Sequence, residues 1–408
     1  MSLLGAQARR LRVALAEAPD MAVGRVVAML DALEDRGAVD ALLDSVRPRL
    51  QRLRPPRPLG VARLLFLPLE GALVAAADWR GAPAELPRSA AQPIWRAVRA
   101  GIGPLVAEIE ATATGHTMEN HALVAALGAR LWPAAGDLPL TRTPPGWQEA
   151  GLSQDAAAPL LALCGAVWRH APLLWQARCA AAEGPPEALL RAALSPLASE
   201  GPAPLAAGMV LLLREASAPA TVAAVAASLA PGLGTVAERE LAALLARDAG
   251  AIRTAGTPAE MAEAAARLSK RLENLETAAG AGQREPRRQQ AAMLRSDTGA
   301  ACHARFAEAL VAALLMPAAQ AAAGPPADDH VVAALERSAR DLRRLEASGR
   351  RLGNENEFDR TLRDALRRLA ALAAVPGGGL ARVELARLAE ILAGPEAALP
   401  LLGGSAPQ

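Results

Sequence analysis

Two histidines five residues apart enclose an acid in the run His116-Thr117-Met118-Glu119-Asn120-His121. A zinc-binding H-E-x-x-H helix needs its histidines four apart on one face, with the acid directly after the first. Five residues of α-helix turn the second side chain about 140° away from the first, and no third ligand stands at a useful spacing. Thr117 reads as a helix N-cap, which leaves His116 outside the helix. The run therefore predicts neither a metal site nor a catalytic group. An enzyme built on this chain would need a site assembled from residues distant in sequence, around His116 and His121, with Glu119 and Arg96 as its companions.

The thiols offer little more. Cys164 and His170 are six apart around Trp168, with Cys179 and Trp175 following, and Pro172 predicts a break in any helix that carries them. A Cys/His dyad needs contact and a third orienting group, which this spacing does not supply. Cys302 and His303 are adjacent, so their side chains diverge on a helix. Buried free cysteines packed with tryptophan are the expected state. The glycines of Gly377-Gly378-Gly379 and Gly232-Leu233-Gly234 lack the lysine and the strand-to-helix setting of a phosphate loop, and no G-x-S-x-G elbow is present.

Arginine is the one abundant reactive type. Arg47, Arg49, Arg52, Arg54, Arg57 and Arg63 fall in a stretch with no acid between Asp44 and Glu70. Six guanidinium groups with no acid among them in sequence can bind phosphates or an acidic partner, with affinity that falls steeply with salt. No aromatic stacking platform or nucleic-acid module accompanies them. Prolines 48, 55, 56 and 58 are interleaved, so segment 47–58 reads as a polyproline-type connector. It is either a docking edge or, the favoured reading, a turn between helices, with Leu64, Leu65, Phe66, Leu67 and Leu69 buried after it. A second basic group, Arg337, Arg340, Arg343, Arg344, Arg350 and Arg351, is matched by acids. Glu336–Arg340, Glu346–Arg350, Asp359–Arg363 and Asp364–Arg368 stand at i,i+4 and predict solvated, paired faces.

The elements that must position these residues are helices. Hydrophobic residues make up 52% of the chain but aromatics only 2%, with no tyrosine, so the apolar mass is Ala, Leu and Val. Ala and Leu favour helix, and strand formers are thin. Lys270 is the only lysine among 44 basic residues, a bias of the kind a GC-rich bacterial genome imposes. Residues 1–99 carry 15 Arg and 10 acids, and residues 100–250 carry 8 Arg and 13 acids, so a basic first third precedes an acidic middle. Three cysteines without a C-x-x-C predict free thiols and a cytoplasmic protein. The N-terminus lacks the apolar core of a signal peptide. The longest uncharged stretches, near 216–237 and 309–327, are interrupted by Pro and Gly and dominated by Ala, so they read as buried helices rather than membrane spans.

Apolar periodicity predicts helices near 2–17, 22–35, 38–52, 60–77, 91–109, 118–131 and 156–180. Further ones follow near 186–197, 203–216, 220–230, 235–249, 258–279, 286–296, 299–322, 328–351, 358–374 and 380–393. Thr257-Pro258 with Glu260 is an N-cap signature, and Asn354 with Glu357 has capping-box spacing. Trp132-Pro133 to Gly146 reads as a long break. Leu268, Leu272 and Leu275, then Val332, Leu335, Ala339, Leu342 and Leu345, form heptad-like seams. The fold class is all-α: a multi-helix antiparallel bundle or irregular α-solenoid-like array without substantial β-sheet. All six tryptophans lie between 79 and 175, and a Pro/Gly break stands at 184–186. These divide the chain into an N-terminal helical domain, 1–183, and a C-terminal array, 184–408, with a flexible tail from about 395.

Such a chain offers surface rather than chemistry. The expected role is a non-enzymatic protein-interaction or scaffold protein that binds another protein through a helical face, with no cofactor. The alternatives are binding of nucleic acid or an anionic surface through Arg47–Arg63, and a helical enzyme around His116 and His121.

Overall fold

The computed structural model describes residues 57–140, 142–278, 284–375 and 377–403. The expected helices 2–17, 22–35 and 38–52 lie outside the described residues. The rest is almost entirely helical, as composition predicted. In chain order the elements are α1 Val61–Phe66, β1 Leu73–Val74, β2 Leu86–Pro87, α2 Arg88–Gly101, α3 Gly103–Ala113, α4 His121–Gly136 and α5 Ala157–Ala181. Next come α6 Glu187–Glu200, α7 Pro202–Glu215, α8 Pro219–Leu229, α9 Gly234–Thr254, α10 Pro258–Thr277 and α11 Arg284–Leu310. A π-helical turn, Val311–Leu315, leads into α12 Met316–Ala323, followed by α13 Asp329–Arg350, α14 Glu355–Ala373, α15 Arg382–Ala393 and α16 Leu399–Gly403.

The described chain forms two compact units. One holds residues 57–64 and 104–127, the other 65–103 and 128–403. The 184–186 break therefore lies within the second unit. In the first unit Pro58 bridges Thr117, the Leu59 N–H donates to the His116 carbonyl at 2.9 Å, and the Met118 N–H donates to the Arg57 carbonyl at 2.9 Å. Thr117 is thus in a bridge and caps nothing. The cap of α4 is Asn120, whose Oδ1 accepts from the Leu123 N–H at 3.1 Å.

In the second unit, short connections fold each helix back on the one before. From α5 to α11 every helix packs on its neighbour, and α5–α7, α6–α8, α7–α9, α8–α10 and α9–α11 also touch. This pattern of neighbour and next-neighbour contacts is that of a helical array. Proline interrupts it less than expected. Pro133 lies inside α4, Pro172 inside α5 and Pro196 inside α6. Each loses one backbone bond, yet tertiary burial holds the helix together. Trp168 is one such anchor: fully buried, it donates Nε1–H to the Leu65 carbonyl at 2.8 Å and stands edge-on to Phe66.

The stretch expected as one helix over 60–77 ends early. After α1 a 3-10 turn over Leu67–Leu69 gives way to β1, and β1 pairs in parallel with β2 over two residues. Leu64, Leu65, Leu67 and Leu69 are buried as predicted. The Gly71 Cα lies against the Leu211 backbone of α7, where any side chain would collide.

The heptad seams meet. Leu268, Leu272 and Leu275 of α10 and Leu335, Ala339, Leu342 and Leu345 of α13 are buried in one core, which α11, α14 and α15 complete. The break expected near 296–299 is absent, because α11 runs on through Gly299. A Cβ there would stand 2.8 Å from the Leu352 carbonyl, so this glycine permits close packing rather than ending a helix. Residues 395–403, expected in a flexible tail, form a 3-10 turn and α16, with Leu401 buried.

Two helical stretches are long and apolar enough to cross a membrane by length and composition alone. In Gln154–Ala181, 56% of the apolar window is buried; in Glu285–Ala323, only 28% is. The second result corrects the reading of 309–327 as a buried helix: one of its faces is outside the core.

Candidate functional site

The exposed face of α11, its π turn and α12 is the most unusual surface among the described residues. Its inner side carries Cys302, Phe306, Leu310, Leu314, Ala318 and Ala322, spaced by four and all buried. A spacing of four drifts about 40° per step around a straight α-helix. The π turn takes up that drift. The Met316 N–H donates to the Val311 carbonyl five residues back, and Pro317 follows, with no N–H to offer the regular ladder. The turn keeps Leu314 and Leu315 inward and leaves Val311 37% and Met316 55% exposed. Ala312, Ala319 and Ala323 share that outer side, and no charged residue occurs between Glu308 and Asp328.

The residues singled out from sequence are dispersed. Arg47, Arg49, Arg52 and Arg54 lie outside the described residues. Arg57 is exposed, while Arg63 is half-buried and donates Nη1–H to the Pro58 carbonyl at 2.8 Å. His116, Glu119, His121 and Arg96 are exposed. The backbone bridge brings Arg57 beside the His116 loop. Among the described residues no group of three or more His, Cys, Asp or Glu is placed to hold a metal ion.

Cys164 is wholly buried, and burial pushes its thiol far above the usual range; burial also pushes Cys302 up to about 12. His170 turns away from Cys164 toward Glu200, with Nε2 and Oε1 at 3.2 Å, and Arg169 completes the cluster with a 2.8 Å contact to the same carboxylate. His303 meets Thr361 Oγ1 at 2.9 Å and stands edge-on to Phe358. These are interhelix fastenings, with no reacting geometry. On α13, Glu336–Arg340 and Glu346–Arg350 pair as spaced. Asp359 instead turns to Arg350, and Asp364 to Arg367. Arg343 also pairs with Glu346 and Arg344 with Asp341, so four arginines of the second basic group are paired as a face should be, but Glu346 is buried rather than solvated, and no ion pair holds Arg337 or Arg351 among the described residues.

A buried polar network escaped the sequence reading. Arg271 of α10 contacts Asp248 of α9 at 2.6 Å, with both side chains buried, and donates to the carbonyls of Arg214 and Ala216 at the end of α7. One turn on, Asn274 accepts the Ala220 N–H at 2.8 Å and donates to Thr221 Oγ1 at the start of α8. One face of α10 thus terminates α7 and caps α8. An inward arginine among leucines is the only sequence signal for it, and the Arg-rich composition masks that signal.

No family model, no curated protein and no solved structure matches the chain.

Proposed function

We propose that the chain is a non-enzymatic interaction or scaffold protein of the cytoplasm, and that the outer face of residues 311–323 receives an apolar helix of a partner protein. The uncharged, outward Val311–Met316 face carries this reading. Burying a side chain of this kind stabilises by about 1.5–3 kcal/mol, and a protruding Met adapts to the shape it meets. The absence of charge over 309–327 favours a partner whose contacting side is itself uncharged, as in helix-in-groove recognition. Three free cysteines support a reducing compartment.

The test is a tagged pull-down of the full chain from its native lysate, with and without nuclease, compared with a Val311→Asp/Met316→Asp variant. Both positions are exposed, so the variant should melt like the parent. A stoichiometric protein retained by the parent after nuclease treatment and lost by the variant is the expected result. Equal retention by both would sink the reading, as would recovery of lipid vesicles or nucleic acid in place of a protein. The arginine segment 47–63 remains the basis of the alternative, binding to nucleic acid or an anionic surface. Arg49→Glu/Arg52→Glu/Arg54→Glu is its variant, and unchanged binding would remove it.

A further inference from the structure

The face of residues 311–323 continues a longer outer row on the same helix. Opposite the inward series that begins at Cys302, the residues Ala300, Ala304, Glu308, Ala312, Met316 and Gln320 recur at every fourth position, and all are exposed. The π turn keeps this spacing in line on the outer side as it does on the inner one. Glu308 is the one acid in the row. Its side chain is 70% exposed, and Arg305, 3.6 Å away, also donates to the Ala255 carbonyl at 3.0 Å. From Val311 to Ala323 the outer side is uncharged.

This row is complementary to itself when reversed. Two copies of a helix packed about a two-fold axis run antiparallel, so that a residue i of one meets j of the other, and j meets i. Sliding the copies by fours changes what Glu308 meets. With Ala312 against Ala312, Glu308 is covered by Met316, and further slides in that direction set it on Ala312 or on its own copy. With Met316 against Met316, it falls at the C-terminal end of α12, where the helix dipole repels an acid. With Met316 against Ala312, each Glu308 meets Gln320, whose amide donates to a carboxylate. Each methionine then lies over an alanine, and Arg305 falls beside Ala323 at the end of α12, where the dipole favours a cation. The π turn lies across the axis.

We infer that the helix received by the 311–323 face is the same helix of a second copy of this chain, packed antiparallel with Met316 over Ala312 and Glu308 against Gln320. This pairing rests on the reading of that face as a protein-docking surface and gives it an occupant. The paired segment, residues 305–323, is about 28 Å long at 1.5 Å per residue. A single helix face of that length makes a small interface, so the dimer forms reversibly as concentration rises.

Sedimentation velocity of the full chain, from low micromolar to submillimolar concentration, tests this. The parent should move from one chain mass toward two. Met316→Asp sets a carboxylate against Ala312 twice per dimer and should weaken association at least about tenfold. Gln320→Lys faces Glu308 of the other copy and should tighten it severalfold, an effect that fades as salt is raised. Met293→Asp, at an exposed position outside the paired segment, should associate like the parent. A dimer that Met316→Asp leaves intact would use another surface and overturn the inference. Weaker association of Gln320→Lys would overturn the antiparallel register. A parent that stays monomeric throughout, while a lysate protein is still captured by the parent and lost by Val311→Asp/Met316→Asp, would rule out the second copy and leave the docking face standing. A monomeric parent that instead binds phosphatidylcholine vesicles would assign the face to lipid and overturn both.

Discussion

At the scale of single residues, the buried Asp248–Arg271 pair has the largest expected effect. Removing one partner strands a charge in the core, so Arg271→Met should destabilise by about 3–5 kcal/mol. Arg271→Met/Asp248→Leu should recover much of that loss, as read by urea unfolding, although the α7 carbonyls lose their donor in both variants. The cysteines separate by burial. Cys179 is exposed, so it alone should react with a thiol reagent in the native state, while Cys164 and Cys302 should react only on unfolding. Glu200 is held below the ordinary carboxylate range first by its hydrogen bond from Arg169, against partial desolvation, and further by His170. A depressed carboxylate contributes its stability above the unfolded value and loses it as pH falls through the folded one. Glu200→Gln should therefore lower stability at neutral and alkaline pH and converge on the parent at acid pH, flattening the acid limb of the profile, as read by thermal melts across pH. Exposure keeps this effect small.

At the scale of elements, glycine and proline meant less than their usual punctuation suggests. Gly299, next to the break expected between 286–296 and 299–322, is a contact point inside one helix. Gly299→Ala gains about 1 kcal/mol of helix propensity but drives a methyl into the Leu352 carbonyl, an overpacking cost of about 1–3 kcal/mol. The net effect should be a lower denaturation midpoint, with less change if the α13–α14 turn yields. Pro133 and Pro172 sit within helices because burial of Leu131, Trp132 and Trp168 outweighs a lost backbone bond. The signals that held were those with a local mechanism. Thr257 and Glu260 form the capping box their spacing announced, and the α10 and α13 seams are buried as their periodicity required. Asn354 failed as a cap because it adopts φ 62° and makes no side-chain bond to the helix. The π turn was not legible, since alanines at every spacing through 302–322 leave the apolar period undefined and the inward positions cannot be picked out before the structure shows them. Deleting Ala313 would regularise that turn and rotate α12 by about 100°, turning Ala318 and Ala322 from the core. A loss of about 1–3 kcal/mol should follow in a chemical melt.

At the scale of the whole molecule, sequence pattern carried the fold class because Ala/Leu periodicity is a local property. The candidate sites were poorly legible because they arise where distant helices meet. Arg271 of α10 meets Asp248 of α9 and the end of α7 only in the folded chain. The polar face of α10 makes a global claim that hydrogen exchange can check. Asn274→Ala leaves the buried Ala220 N–H without its acceptor, at a cost of about 1–3 kcal/mol. Protection should fall along α8 and the end of α7, while α14 and α15 keep theirs. The same face has a consequence for synthesis. Ala216 precedes its donor Arg271 by 55 residues, and Ala220 precedes Asn274 by 54. At about 5–20 residues per second, a nascent chain holds the open ends of α7 and α8 for roughly 3–11 s before the closing side chains are even polymerised. A ribosome-stalled chain ending near residue 256 should be cut by protease around 214–221, and one extended past α10 should resist. The array is thus fastened retroactively, each late helix sealing ends that translation left behind.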